Sequence, residues 1–336
     1  MKNVDIVFRA RDNTSISIER VGKVLFTDCS SIDTLDKHAI ILPKHADSIF
    51  SLIKNIFYCY RNTGARLHIS GSEHYLTILS LFGKKVTLTI HDFVYYAKLR
   101  GYKRAIYFIL WIYMPLRFPV RIAAISPKIK EEIDAWYSRL GINKSCYLVP
   151  NPITFSHTGK GDDRQLPPLK DRCFDLIQIG TASHKNAELA IRIAHQCGLG
   201  LLIIGQETPS IRSLINGKQN IVIQSNISNL QLEQHYMNSR LLIFLSSAEG
   251  FGLPIIEAQS LGTPVIISDI EPLVWVGGGG VAAVDQLDEI AVVEMVSSLL
   301  ANEGRMKRMQ ALGFKNVERF NDARFRNNME DFIFER

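Results

Sequence analysis

Short runs of aliphatic and β-branched residues recur along the chain, separated by amphipathic stretches. That alternation is the pattern of parallel strands covered on both faces by crossover helices. The second half shows it most clearly. Residues 174–179 (FDLIQI) read as a strand, 186–197 as a helix closed by Gly198, and 201–204 as the next strand. A further unit follows, with a strand at 241–245, a helix at 254–261 stopped by Gly262, and a strand at 264–267. The first half carries similar runs at 4–8, 86–90 and 121–125. Between the halves, residues 150–168 are rich in Pro, Gly, Asp and Ser and follow no period, which marks a linker. The expected fold class is α/β with two Rossmann-like domains, residues 1–155 and 156–314, followed by a helix-like tail at 315–336.

Composition narrows the class without changing this picture. A chain of 336 residues that is 46% hydrophobic and 21% charged can fill two cores and is neither disordered nor fibrous. Its five cysteines, Cys29, Cys59, Cys146, Cys173 and Cys197, are scattered without a C-x-x-C pair, so buried reduced thiols are expected rather than disulfides or a zinc site. The first apolar run is cut short by Arg9 and Arg11, too early for a secretory segment, and a cytoplasmic protein is expected. The uncharged stretch 105–116 (AIYFILWIYMPL) contains Pro115 and falls short of the roughly 20 residues of a membrane span. An interfacial helix and a buried helix explain it equally well.

Charge is distributed unevenly. Residues 1–155 hold 22 Lys and Arg against 12 Asp and Glu, whereas the remainder holds 17 against 21. Between Phe93 and Lys130 there are eight cations and no acid. A basic half of this kind implies an anionic partner: a membrane surface, a phosphorylated substrate or nucleic acid. No nucleic-acid motif accompanies it.

Ligands of open parallel sheets sit beyond the carboxyl ends of the strands, which directs attention to the strand-to-helix loops. The loop 246–253 (SSAEGFGL) sets Glu249 before Gly250, Phe251, Gly252 and Leu253, with Pro254 at the expected first helical position. Glycines let the backbone approach a ligand, and a helix N-terminus offers N–H groups and a positive dipole end to an anion. Glu257 is expected in the first turn, where an acid complements the dipole. A carboxylate at Glu249 contributes little to packing and carries its charge into the loop. A second loop, 180–186 (GTASHKN), carries Lys185, which is either a point charge for a diphosphate or an ordinary solvated lysine.

With these residues in view, the chain resembles the retaining glycosyltransferases of family 4, and does so over nearly its whole length. EGFGLPIIE (249–257) is similar to that family's E-x7-E element and QSLGTPVIIS (259–268) to its continuation. IGTASHKN (179–186), VPNPI (149–153), AISPKIKEEI (124–133), TIHD (89–92) and HISGSEHY (68–75) match as well. The resemblance implies the GT-B fold, two Rossmann-like domains facing across a cleft, with the 315–336 helix packing back on the first.

It also implies roles. Glu257 would bind the ribose hydroxyls of a nucleoside-diphosphate sugar, Glu249 the transferred sugar, and the Gly250, Phe251, Gly252 and Leu253 backbone the sugar and diphosphate. Lys185 would balance the leaving diphosphate, and His91 would reach the sugar from the first domain. Asp92 is expected to hold its loop, while Ser225, Asn226 and Ile227 would border the nucleobase. Two positions depart from the family pattern: Thr181 stands where relatives often have a phosphate-binding arginine, and Trp275 where they often have Glu. No D-x-D element occurs, so neither metal nor cofactor is expected.

The function so implied is transfer of a sugar from a GDP- or UDP-linked donor to a lipid-linked oligosaccharide acceptor in bacterial surface-polysaccharide synthesis (O-antigen, capsule or exopolysaccharide). The basic first domain would rest on the inner-membrane surface, with no role for nucleic acid. A catalytically silent subunit of a polysaccharide-assembly complex and a nucleotide-sugar epimerase are the alternatives.

Overall fold

The computed structural model describes residues 2–10, 17–26, 35–155, 166–285 and 288–334. They form two compact units, Met1–Pro152 with Asp322–Arg336, and Ile153–Asn321. The expected linker falls partly on 156–165, and Cys29 on 27–34, outside the described residues.

Unit 1 is built on a parallel sheet of β1 (Lys2–Phe8), β2 (Leu35–Ile41), β3 (Arg66–Ile69), β4 (Lys85–Ile90), β5 (Val120–Ala124) and β6 (Tyr147–Leu148). Their order is β2, β1, β3, β4, β5, β6. Unit 2 carries β7 (Phe174–Ile179), β8 (Leu201–Ile204), β9 (Ile221–Gln224), β10 (Ser239–Phe244), β11 (Val265–Ser268) and β12 (Val281–Val284), ordered β12, β11, β10, β7, β8, β9. All the pairings are parallel. The strands expected from the sequence therefore form, with ends shifted by one or two residues. β2, β3, β6, β9 and β12 were not marked by the aliphatic runs because they are short or carry polar residues such as His38, His68 and Gln224.

The central strands of unit 2 are apolar on both faces, and Leu201, Leu202, Leu241, Ile243 and Ile266 are fully buried. Each such side chain removed from water contributes about 1.5–3 kcal/mol, which is why continuous apolar runs, rather than alternating ones, mark these strands. The helix Ala187–Cys197 ends at Gly198 (φ +65°), and Gly262 (φ +68°) follows the helix Leu253–Ser260. Both are the left-handed stops that glycine supplies without a Cβ penalty.

Several expectations need correction. The tail is not one helix. Glu303–Val317 ends in a single 3₁₀ turn, Glu318–Phe320, and a new helix, Asp322–Phe334, starts within unit 1. There Arg66 donates to the Ile333 carbonyl (2.6 Å). The thiols of Cys59 and Cys146 are buried, but Cys173, in the bend just before β7, is exposed and Cys197, the last residue of the helix Ala187–Cys197, is half-buried. Residues 101–117 form a continuous helical segment with a π turn at Phe108–Tyr113. It buries Ile112 and Leu116 and exposes Ile106, Ile109 and Tyr113, so it is neither wholly buried nor wholly interfacial. Among the described residues, no helix is long and apolar enough to cross a membrane.

Two histidines are enclosed in unit 1. His68 Nδ1 meets Thr87 Oγ1 (3.0 Å), and His74 Nδ1 donates to the Trp111 carbonyl (2.8 Å). Burial pulls their pKa values down to about 3 and about 4. Unfolded histidine titrates near about 6.5, so below that pH the unfolded chain binds more protons than the folded one. Stability present at neutral pH is therefore lost as the pH falls from about 6.5 towards 4, at up to about 1.4 kcal/mol per pH unit for each histidine. Chemical denaturation of the wild type and of a His68→Gln, His74→Gln variant across this range checks the point. Equal slopes for the two proteins would refute it.

Candidate active site

In unit 2 the strand order reverses between β7 and β10, because the chain runs β7, β8, β9 to one side and returns with β10 on the other. The loops after these two neighbouring strands flank the crevice in which α/β sheets hold ligands. These are the Lys185 and Glu249 loops. They are laced together: Ser247 N donates to the His184 carbonyl (2.8 Å) and Asn186 Nδ2 to the Leu245 carbonyl (2.7 Å).

Lys185 lies in the 3₁₀ turn Ser183–Lys185, and its Nζ meets Glu249 Oε1 at 2.5 Å. The two side chains are only 18% and 12% exposed, and the ammonium also lies 4.8 Å from the centre of the Phe244 ring. Such a pair is held by its surroundings as well as by its charges, and removing one member strands the other. Gln178, buried in β7, donates through Nε2 to the carbonyls of Gly180 (3.2 Å) and Lys185 (3.1 Å), supporting the turn from beneath.

The second loop enters the helix Leu253–Ser260 through Gly252, whose φ of +106° favours glycine and whose end no side chain caps. Gly250 and Phe251 are buried and Leu253 is half-buried at the first helical position. Pro254 is thus second in the helix, and Glu257 lies past the first turn, so dipole compensation does not account for it. Glu257 is 2% exposed. Thr154 Oγ1 donates to its Oε1 (2.9 Å) and Tyr236 OH to its Oε2 (3.1 Å), which fixes the carboxylate from both sides.

The remaining residues of this set line the same sheet edge. Thr181, half-buried after β7, presses on the loop after β8, where a Cβ at Gly205 would come within 2.7 Å of it. After β9, Ser225 and Asn226 are exposed and Ile227 half-buried, with Asn226 in the left-handed region (φ +56°). Trp275 has a packing role. Its ring makes edge contacts with Phe251 (6.4 Å) and Phe320 (5.8 Å), and Arg319 stacks on it at 4.8 Å. An aromatic residue here braces the glycine loop through Phe251.

His91 belongs to unit 1, where its Nε2 donates to the Ser70 carbonyl (3.0 Å). Asp92 Oδ1 accepts from Val94 N (2.9 Å) and holds its loop. Both residues line a cavity of about 860 Å³ at the carboxyl ends of β1, β3 and β4, together with Arg9, Glu73, His74 and Lys103. Burial raises the Glu73 carboxyl above its usual range. Sequence reasoning passed over Gln178, Thr154, Tyr236 and Glu73. Gln178 alone had a local signal, an amide near the end of a largely apolar strand. Among the described residues, no three His, Cys, Asp or Glu side chains converge as a metal cluster would.

Residues 161–315 match the family model described as Glycosyl transferases group 1. The chain is 29% identical over 191 residues to the serotype-specific mannosyltransferase WbdA of Escherichia coli, a match covering 48% of this chain and 23% of that protein. It thus spans less than a quarter of that relative's length. It is 24% identical over 260 residues to the O-antigen chain mannosyltransferase RfbU of Salmonella typhimurium, covering 74% of this chain and 66% of the relative. Among solved structures, Anabaena Alr3699/HepE in complex with UDP and glucose superposes with a TM-score of 0.74 over 100% of both chains at 10% identity. Sucrose-phosphate synthase from Thermosynechococcus elongatus does so at 0.72 over 98% of both at 18% identity. The match to the Glycosyl transferases group 1 model thus covers less than half of the chain, and the chain's two parallel six-stranded sheets have the GT-B fold.

Proposed function

We propose that the chain is a retaining glycosyltransferase of family 4 that moves a sugar from a GDP- or UDP-linked donor to a lipid-linked glycan acceptor in bacterial surface-polysaccharide synthesis. Mannose is the first sugar to test, since WbdA and RfbU are both named mannosyltransferases. The observation that carries this reading is the Lys185–Glu249 pair at the switch point of the unit 2 sheet, beside an uncapped helix N-terminus.

On this reading the diphosphate lies at the start of the helix Leu253–Ser260, facing the backbone of Gly250, Phe251, Gly252 and Leu253. Lys185 turns from Glu249 to the phosphate oxygens, where charge grows as the bond to the anomeric carbon breaks. Glu249 then accepts hydrogen bonds from sugar hydroxyls, and Glu257, oriented by Thr154 and Tyr236, accepts them from the ribose diol. Thr181, Ser225, Asn226 and Ile227 border the nucleotide. The acceptor hydroxyl attacks from the face the leaving group departs, its oxygen bonding to the anomeric carbon and its proton passing to a phosphate oxygen. His91 meets the transferred sugar as it reaches the acceptor. The unit 1 cavity takes the acceptor, whose phosphates answer to Lys103 and Arg9. The proposal calls on no metal ion, and it places the chain in the cytoplasm at the inner face of a membrane.

A thermal-shift titration with GDP, UDP and their sugar conjugates tests donor binding. A ligand at a hundredfold excess over its Kd stabilises by about 2.7 kcal/mol, a rise in Tm of about 5–10 °C for a unit of this size. We expect one nucleotide series to give it and Glu257→Ala to abolish it. No shift with either series would refute the assignment.

Lys185→Met is expected to lower kcat by about 10²–10³-fold, the cost of removing one donor to a developing oxyanion. Undiminished turnover would remove Lys185 from the mechanism. Gly252→Ala is expected to cost about 1–2 kcal/mol in urea denaturation, since an L-residue resists a φ of +106° even where the side-chain ends of Leu273 and Ile255 give way. Unchanged stability would show that the loop tolerates a side chain there. Lys103→Ala should raise the acceptor KM about tenfold and leave the nucleotide-induced shift intact. An unchanged KM would exclude the cavity assignment.

A further inference from the structure

The helix Ile49–Asn62 is inside out. The residues it buries are Ser51, Asn55 and Cys59, spaced by four, whereas Ile49, Phe50, Ile53, Phe57 and Tyr60 face outward, each between 51% and 70% exposed. Leu81 and Phe82, at the end of the 3₁₀ helix His74–Phe82, extend the same surface, and the Tyr60 and Phe82 rings meet edge-on at 5.9 Å. The inversion is pinned by specific bonds. Asn55 Nδ2 donates to the Lys44 carbonyl (2.9 Å) and to Tyr75 OH (2.8 Å), its Oδ1 accepts from Lys44 N (3.2 Å), and Ser51 Oγ donates to Asp47 Oδ1 (2.7 Å). Turning the aromatic face inward would break all of these and bury nothing polar in their place. The outward face is therefore what this sequence builds.

The charges on that face have one sign. Lys54 Nζ lies 4.5 Å from the Phe50 ring centre, Arg61 lies 5.1 Å from Phe57, and Lys84 lies 5.6 Å from Tyr60. No acid occurs between Asp47 and Glu73 or between Glu73 and Asp92, and Glu73 itself is buried. We propose that this face docks on an anionic lipid surface, with Phe50, Ile53 and Phe57 entering the boundary between headgroups and acyl chains and Lys54, Arg61 and Lys84 meeting lipid phosphates.

Aromatic rings with a cation lying along each are built for that boundary, since the ring goes down while the ammonium or guanidinium rises to the headgroups. A second copy fits less well, because a two-fold contact would bring a uniformly basic face against its own image. The site also adjoins the unit 1 cavity. Ile49 and Leu52 line it from this helix, and Ile106 and Leu110 from the partly exposed segment 101–117. The proposal deepens the reading of a lipid-linked acceptor and rests on it for its purpose: the surface would hold the cavity at the level where a lipid-borne diphosphate emerges.

The test is flotation of the full chain with vesicles of equal parts phosphatidylglycerol and phosphatidylcholine, with pure phosphatidylcholine alongside. We expect association with the anionic vesicles only, weakened by salt. The Phe50→Glu, Phe57→Glu variant should lose it by roughly tenfold or more. Leu230→Glu, Ile290→Glu, which alters exposed apolar residues of unit 2, should retain it. Circular dichroism and the nucleotide-induced thermal shift establish that each variant is folded. In Phe57→Trp, the introduced indole should shift its emission to the blue on adding anionic vesicles. The proposal is overturned if the wild type ignores anionic vesicles, if the Phe50→Glu, Phe57→Glu variant floats as the wild type does, or if the same substitutions abolish a dimer detected by sedimentation. Failure to bind any nucleotide, with vesicle binding intact, would instead remove the donor reading and leave the lipid surface standing.

Discussion

The pairing of β7 with β10 is the constraint on which the unit 2 site depends. Neighbouring strands of a parallel sheet end on the same edge, and a reversal of strand order between them leaves no helix crossing over that edge. The loops that leave β7 and β10 therefore meet, and the two carbonyl contacts made by Ser247 and Asn186 lock them at a fixed separation. Lys185 and Glu249, 64 residues apart in sequence, become a contact pair only because of that neighbourhood. The surrounding parts serve the same edge: Gln178 from below, the glycine entry to Leu253–Ser260 at one side, and Phe251 braced against Trp275 and Phe320 at the other.

Much of this was legible in the sequence, for a physical reason. Strands buried on both faces are largely apolar, so 201–204 and 241–245 declared themselves, as did 174–179 despite Asp175 and Gln178, and Gly198 and Gly262 marked helix ends because only glycine is indifferent to the left-handed region. The loops at 180–186 and 246–253 stood out by the same logic, as polar and glycine-rich interruptions at strand ends. What could not be read were partners distant in the chain. Thr154 and Tyr236 meet at Glu257 from 103 and 21 residues away, and nothing local to either announces it. The position of Glu257 was misjudged because the helix begins one residue earlier than Pro254 implied, a boundary set by the left-handed Gly252.

Trp275 and the helix Ile49–Asn62 illustrate the opposite case, in which residues plain in the sequence take their meaning only from their packing. Trp275 counts as a departure from a family pattern until Phe251, Phe320 and Arg319 are seen around it, when it becomes a wall of the glycine loop. The helix Ile49–Asn62 has a regular apolar stripe, and periodicity alone assigns such a stripe to the interior. Only the bonds of Asn55 and Ser51 reveal that its polar side is the inner one, so the direction of an amphipathic helix is a property of tertiary structure rather than of its period.

The ion pair between Lys185 and Glu249 has a consequence for selectivity. A cation and an anion that satisfy each other present little net field to an approaching ion, and separating them leaves each without its counter-charge in a half-enclosed place. A small inorganic anion could compensate the lysine but would leave the carboxylate bare. A molecule bearing a cluster of negative oxygens at one end and several hydroxyl donors at the other repays both halves of the separated pair at once. On the proposed reading the pair is a coincidence detector, answering to two chemically unlike groups only when they arrive together on one ligand.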